Sequence, residues 1–324
     1  MIRARLPVLI ATAIAAAALS SCSGQGTAPA DSAASASAPT ANAGPDVEAP
    51  AAGASARAFN FRIGELQAVA LKDGALSVLN DGSTFAMGEP AAAVNGLLVA
   101  AGQATDQLHL DIQPLLVRSG ERVLLFDTGA GDESWANGGH LAAALAEAAV
   151  QPAQVTDIFL SHRHGDHVGG LRNDDGALAF PNATIHMSAA EWKALQSDKG
   201  STGLVTAIES KVAQFKAGAE LVPGVVTAVA VDGHTPGHSA YRISSGNEHL
   251  LYIGDTVHHH VISVQQPEWT VQFDEDAPVA EASRRALLQR AVDEDLRIYA
   301  VHFPYPGLGR FQAKGEGFVW VAED

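Results

Sequence analysis

Within six residues, His162, His164, Asp166 and His167 bring three imidazoles and a carboxylate together, directly after an apolar, β-prone run at 155–160. Imidazole and carboxylate are the donors preferred by zinc and its first-row neighbours. Alternate side chains at a strand end point the same way, so His162 and His164 can face one ion while the following turn swings Asp166 and His167 towards a second. Turns are ordinarily built from Gly, Asn, Asp and Ser. Clustered imidazoles therefore read as a metal site rather than as a solvated loop.

Four further motifs stand at the ends of apolar runs. Asp127-Thr128-Gly129 follows 123–126, and Gly233-His234-Thr235-Pro236-Gly237-His238 follows 225–231; Gly254-Asp255 follows 250–253, and His302 follows 297–301. With the H-x-H-x-D-H stretch these resemble, in order, the metallo-β-lactamase superfamily, over nearly all of the chain from about Phe59 onward. The resemblance implies an αββα four-layer sandwich with two divalent metal ions, zinc foremost, at the strand-end edge. It implies that His162, His164 and His238 hold one ion, that Asp166, His167 and His302 hold the other, and that Asp255 bridges them. A metal-bridging hydroxide would then attack the substrate, with Asp166 also relaying a proton to the leaving group. Asp127 is expected to orient a ligand loop by hydrogen bonds, or else to cap its turn. His234 is expected to stabilise the loop that carries His238.

The stretch 302–309, together with 127–131 and 188–192, resembles the methyl parathion hydrolase branch, related to the quorum-quenching lactonases. That branch implies hydrolysis of small-molecule esters, lactones or phosphotriesters in an aromatic-walled pocket. Trp192, Phe303 and Tyr305 are placed near the metals by motif adjacency, with plain core as the other reading. His258, first of three consecutive histidines after Asp255, is expected to line the pocket. His109, His140, His186 and His249 have no partner pattern.

The elements that must carry these residues alternate between the two periodicities. Phe59, Phe61 and Ile63 alternate as a strand, 67–71 and 75–79 continue as short strands, and 109–117 and 122–126 flank a hairpin turn at Ser119-Gly120. Helices are expected over 141–150, stopped by Gln151-Pro152, and over 189–195, 204–216 and 279–292.

A chain of 324 residues with 47% hydrophobic content and 31 glycines can bury a sizeable core in one large or two small domains. Its net charge of −16 repels polyanions and excludes nucleic acid as a partner. The C-terminal end offers no basic site for a glutathione-like anion, which argues against a thioesterase of the glyoxalase II kind. Cys22 is the single cysteine, so there is neither an intrachain disulfide nor a thiolate ligand, and β-lactamases with a metal-binding cysteine are poor models. β-Lactam or thioester hydrolysis and a non-catalytic metal-binding lipoprotein stand as alternatives.

The N-terminus is organised differently. Arg3 and Arg5 precede an apolar run at 6–19 that ends in Leu19-Ser20-Ser21-Cys22, which resembles a bacterial lipobox. A signal peptide is expected over 1–21, a lipidated Cys22 heading an Ala/Ser/Pro-rich tether over 22–56, and the hydrolase domain over 57–324. The protein is then an exported lipoprotein on the periplasmic face of a bacterial membrane, held by its lipid alone. The oligomeric state is left open, a homodimer included.

Overall fold

In a computed structural model of the chain, residues 56–173 and 175–323 are described. The expected signal peptide, Cys22 and all but the last residue of the expected tether lie outside them. Among the described residues no helix is long and apolar enough to cross a membrane.

The first half builds one seven-stranded sheet. Its edge is the hairpin of β1 (Ala58–Ile63) and β2 (Leu66–Leu71); β3 (Gly74–Leu79), α1 (Ala91–Ala100) and β4 (Gln107–Ile112) then form an excursion before β5 (Leu115–Ser119) and β6 (Arg122–Phe126) rejoin the sheet. From there α2 (Leu141–Glu147), β7 (Asp157–Phe159), α3 (Gly165–Val168), β8 (Thr184–Ser188), α4 (Ala189–Ser197), α5 (Thr202–Ile208) and β9 (Val212–Phe215) follow. The strand order is β1-β2-β5-β6-β7-β8-β9, with β6 to β9 parallel. Parallel neighbours need crossover connections, and the helices between them provide these.

The second sheet runs in sequence order: β10 (Glu220–Val222), β11 (Val226–Ala230), β12 (Ser239–Ser245), β13 (Glu248–Tyr252), β14 (Arg297–Tyr299), β15 (Leu308–Lys314) and β16 (Gly317–Ala322). The short α6 (Ile262–Gln265) and the long α7 (Ala277–Asp293) lie between β13 and β14, which are parallel. The α7 helix starts with the Asp276 side chain accepting the Val279 N–H and with proline in its first turn, a combination favoured at helix N-termini.

Burial follows from the alternation of side chains across each sheet. Leu124 and Phe126 of β6 and Phe159 of β7 point to one face and meet Tyr241 and Tyr252 of the other sheet, forming the core between the sheets. The opposite face of the first sheet, with Leu125 and Ile158, packs on Leu145 of α2 and Leu195 of α4. Leu251 and Ile298 pack on Leu287 and Leu288 of α7. The layers are therefore helix, sheet, sheet, helix. A satellite cluster around Phe85 joins β4, α1 and α6.

Two expectations about elements are corrected, and one helix is added. The run 109–117 is two strands, because Pro114 has no N–H to continue a ladder: β4 pairs with β3 as a separate two-stranded sheet, and β5 enters the main one. The helix expected over 204–216 ends at Ile208, and Val212 to Phe215 pair with β8 as a parallel edge strand, as a β-branched residue and an aromatic favour. Helix α1 was not foreseen in the apolar, alanine-rich stretch after Pro90.

Candidate metal centre

The carboxyl ends of β6, β7, β13 and β14 open on the same edge, where ligands collect in α/β folds. The loop after β7 carries His162, His164, Asp166 and His167. Gly254-Asp255 follows β13, and His302 lies just beyond β14. The β11–β12 connection carries His234 and His238. At Gly254 the chain turns with φ +49°, and a Cβ there would sit 2.6 Å from His238 Nε2. Only glycine lets the Asp255 turn pass that close.

Two donor sets face each other across Asp255. His234 Nε2 lies 3.2 Å from His162 Nε2 and 3.1 Å from His164 Nδ1. His167 Nε2 and His302 Nε2 each lie 3.1 Å from Asp255 Oδ1, and Asp166 Oδ2 is 3.4 Å from His302 Nε2. The other oxygen of Asp255, Oδ2, is 3.7 Å from His162 Nε2 and 3.5 Å from His234 Nε2. His162, His164, His234 and Asp255 thus form one group with converging ligand atoms, and Asp166, His167 and His302 a second.

These residues fit divalent ions. Donors at about 2.0–2.1 Å around a tetrahedral ion are about 3.3 Å from one another, close to the 3.2 and 3.1 Å that separate His234 Nε2 from the nitrogens of His162 and His164. His167 Nε2 and Asp255 Oδ1 are buried without a hydrogen-bond partner, a costly state for polar atoms that a shared cation would relieve.

The outer nitrogens of three of the rings are tied down, as is usual for metal-binding histidines. His302 Nδ1 donates to the Asp111 carbonyl at 2.8 Å, and His234 Nδ1 donates to Asp274 Oδ1 at 3.0 Å. His167 Nδ1 donates to Asp127 Oδ2 at 2.7 Å. Asp127, at φ +57°, also accepts the Ser161 N–H, the Ser161 hydroxyl and the Tyr252 hydroxyl. These bonds hold the loop that carries His162 and His167, the first of the two expectations stated for it, rather than capping its own turn.

Without metal the charges are strongly opposed. Burial pushes His167 down, but the carboxylates of Asp255, Asp166 and Asp127 outweigh it and hold the ring well above the usual histidine range. Burial would raise Asp255; His167 and His302 outweigh it and hold the carboxyl well below its ordinary value. Burial together with His167 keeps His162 neutral, the form in which imidazole ligates.

His238 is corrected. Its ring stands outside both donor sets, with Nδ1 donating to the Val231 carbonyl at 3.2 Å and Nε2 accepting the Asp255 N–H at 2.9 Å. The two turn residues after His234 fold the chain back, so that His238 lies at the start of β12, under the site rather than in it. The ring facing the donors is His234.

The pocket aromatics are also corrected. Trp192 is buried in the core beneath the first sheet. Phe303 packs edge-on against Trp320 beneath the second. Tyr305 hydrogen-bonds through its hydroxyl to the Ala70 carbonyl and packs between the sheets. A cavity of about 640 Å³ opens on the donor sets, walled by Leu76, Val78, Leu110, Trp135 and Phe273 and floored by His164, Asp166, Asp255, His258 and His302. His258 is at the expected place, with Nε2 3.2 Å from Asp255 Oδ2 and neither ring nitrogen hydrogen-bonded. Trp135 and Phe273 were missed; neither belongs to a recognisable motif, although Phe273 precedes the aspartate that holds His234.

Residues 112–302 match the profile of the metallo-beta-lactamase superfamily. The chain belongs to the metallo-beta-lactamase superfamily. It is similar to the solved structure of AidC, described as a dizinc quorum-quenching lactonase in complex with a product, with 30% identity and a TM-score of 0.78 over 83% of this chain and 99% of that one. It is 28% identical over 149 residues to an atrochrysone carboxyl ACP thioesterase of Aspergillus chevalieri, covering 46% of this chain, and 34% identical over 94 residues to the uncharacterized protein YobT of Bacillus subtilis (strain 168), covering 26%. The chain spans 41% and 39% of the length of those two relatives.

Proposed function

We propose that this superfamily member is a dinuclear hydrolase of small, uncharged esters and lactones with an apolar arm. The observation that supports this most is the placement of Asp255, whose two oxygens face two separate donor sets at the floor of a cavity with apolar walls. In this reading His162, His164 and His234 hold one ion, Asp166, His167 and His302 the other, and Asp255 bridges them. When bound, the two ions, zinc by the chemistry of the donors, would supply hydroxide near neutral pH and Lewis-acid polarisation of the scissile carbonyl.

The remaining work falls to the chain itself. Asp166 lines the cavity, so its carboxylate is placed to take a proton and return it to the departing oxygen. His258, with unpartnered ring nitrogens at the cavity floor, is placed to hydrogen-bond a substrate oxygen. Trp135 and Phe273 bind the apolar arm and exclude water from it. The lactonase similarity of the AidC structure supports the lactone class. The lipobox-like sequence at Cys22 supports export with a lipid anchor.

The test is one purified preparation, analysed for metal content and assayed in parallel on lactones, aryl esters, phosphotriesters, thioesters and β-lactams. Two ions per chain and metal-dependent turnover highest on lactones or aryl esters are expected. A single ion, or a clear preference for another substrate class, overturns the reading.

A further inference from the structure

Glu191 is fully buried, at the third position of α4, and plays no part in the ligand sets or the cavity. A carboxylate offers about four acceptor sites, and here four donors use them. Oε1 accepts the Arg163 N–H at 2.9 Å and the Arg163 guanidinium at 3.2 Å. Oε2 accepts the Thr235 hydroxyl at 2.8 Å and the Gly237 N–H at 2.9 Å.

Arg163 stands between His162 and His164, and Thr235 follows His234. One carboxylate thus grips both loops that supply the three imidazoles facing one side of Asp255. The surroundings reinforce the grip. The other arm of the Arg163 guanidinium pairs with Glu275, next to Asp274, which orients His234. Ser188, which caps α4 by accepting the Glu191 N–H, also donates to the Gly237 carbonyl at 2.7 Å. A Cβ on Gly237 would lie 2.2 Å from Ser188 Oγ, so the loop reaches this closeness only with glycine. The set of Asp166, His167 and His302 receives no hydrogen bond from Glu191; its outer contacts run to Asp127 and Asp111.

We propose that Glu191 is the positioning residue for one ion only: it sets the separation of His162 and His164 from His234, and so the affinity of that half of the centre. The proposal rests on the dinuclear reading above, and its test separates the two. Outer partners of metal ligands typically contribute about 10 to 100-fold in metal affinity. Glu191→Gln removes one acceptor oxygen and turns an amide N–H towards donors, so a loss of that size is expected for one ion and little change for the other.

The experiment is a cobalt(II) titration of the metal-free full chain, read by visible absorption and by bound metal, with thermal unfolding of each metal-free variant alongside. Wild type should take up two ions. Glu191→Gln should weaken the same ion that His234→Ala loses and keep the one that Asp166→Ala loses. Thr235→Val, which removes one of the four donors, should weaken that ion by less. Should Glu191→Gln not fold, Thr235→Val carries the test alone. Equal weakening of both ions in step with a lowered unfolding temperature, or no change in either, overturns the positioning role while leaving the dinuclear centre intact. A wild-type chain that binds no ion overturns both.

Discussion

The Nε2 of His238 accepts the backbone N–H of Asp255 at 2.9 Å. Nδ1 gives its proton to the Val231 carbonyl, and burial lowers the ring to about 4, so it is neutral across the working range. His238 therefore fixes the turn that presents Asp255, and His234 in the same loop faces the nitrogens of His162 and His164. His234→Ala is expected to lose one ion and orders of magnitude in turnover, since hydroxide formation and carbonyl polarisation both depend on the centre. His238→Ala should keep both ions at saturating metal and lose about 10 to 100-fold in activity, as removal of an outer partner does. Metal analysis and kcat on one aryl ester decide between them; the reverse pattern would return the ligand role to His238.

That exchange marks the limit of what the sequence discloses. The H-x-H-x-D-H stretch is legible because strand alternation and one turn determine where its side chains go. Gly233 to His238 offers two imidazoles four residues apart, and which one faces the other donors depends on how the turn residues fold back to start β12. The layers were legible from the periodicities and the family resemblance, and the break at Pro114 is written in the sequence by its missing N–H, whereas the edge strand at 212–215 depends on pairing with β8. The pocket walls were the least legible: Trp135 and Phe273 come from separate loops brought together only by tertiary packing. Trp192, Phe303 and Tyr305 lie close in sequence to motif residues but point into cores.

Arg284 is fully buried on α7 and donates to the carbonyls of Thr256 and Pro267 and to Asp274 Oδ2. Arg284→Ala leaves Asp274, the carboxylate that orients His234, without its cation. Breaking a buried pair from one side typically costs about 3–5 kcal/mol. Denaturant unfolding of the metal-free variant should show a loss of that order, and one below about 1 kcal/mol would contradict the structural weight given to this contact.

Trp135 and Phe273 are expected to read the length of the substrate's apolar arm. Burial of one methylene is worth about 0.8 kcal/mol, or about fourfold in kcat/KM, so wild-type activity should climb with acyl length until the cavity is filled. Phe273→Ala and Trp135→Ala should flatten that climb. Trp192→Ala should lower stability and leave the dependence on acyl length unchanged. A flattening by Trp192→Ala alone would put the pocket elsewhere.

Export and anchoring are expected to depend on Cys22. Two acyl signals give stable membrane attachment where one chain is marginal. In the native host, Cys22→Ala should move the mature protein from the membrane fraction to the soluble one. An unchanged distribution on fractionation removes the lipid anchor.

His259 gives the pH dependence a defined source outside the metal centre. Its Nδ1 accepts the N–H groups of Val261 and Ile262, so the folded chain needs the neutral ring, and burial followed by the neighbouring His260 lowers it to about 3. An unfolded histidine titrates near 6.5. Between those values the unfolded chain holds a proton that the folded chain refuses. Stability is therefore complete above about pH 6.5 and falls as the pH drops towards 3, by at most about 1.4 kcal/mol per pH unit from this group. His259→Asn keeps an acceptor oxygen for the two N–H groups and has no proton to gain. Urea unfolding of the metal-free proteins at pH 7, 6 and 5 should show the wild type losing about 1 kcal/mol more than the variant between pH 6 and 5. Parallel curves for the two proteins would show that His259 titrates alike in the folded and unfolded chain.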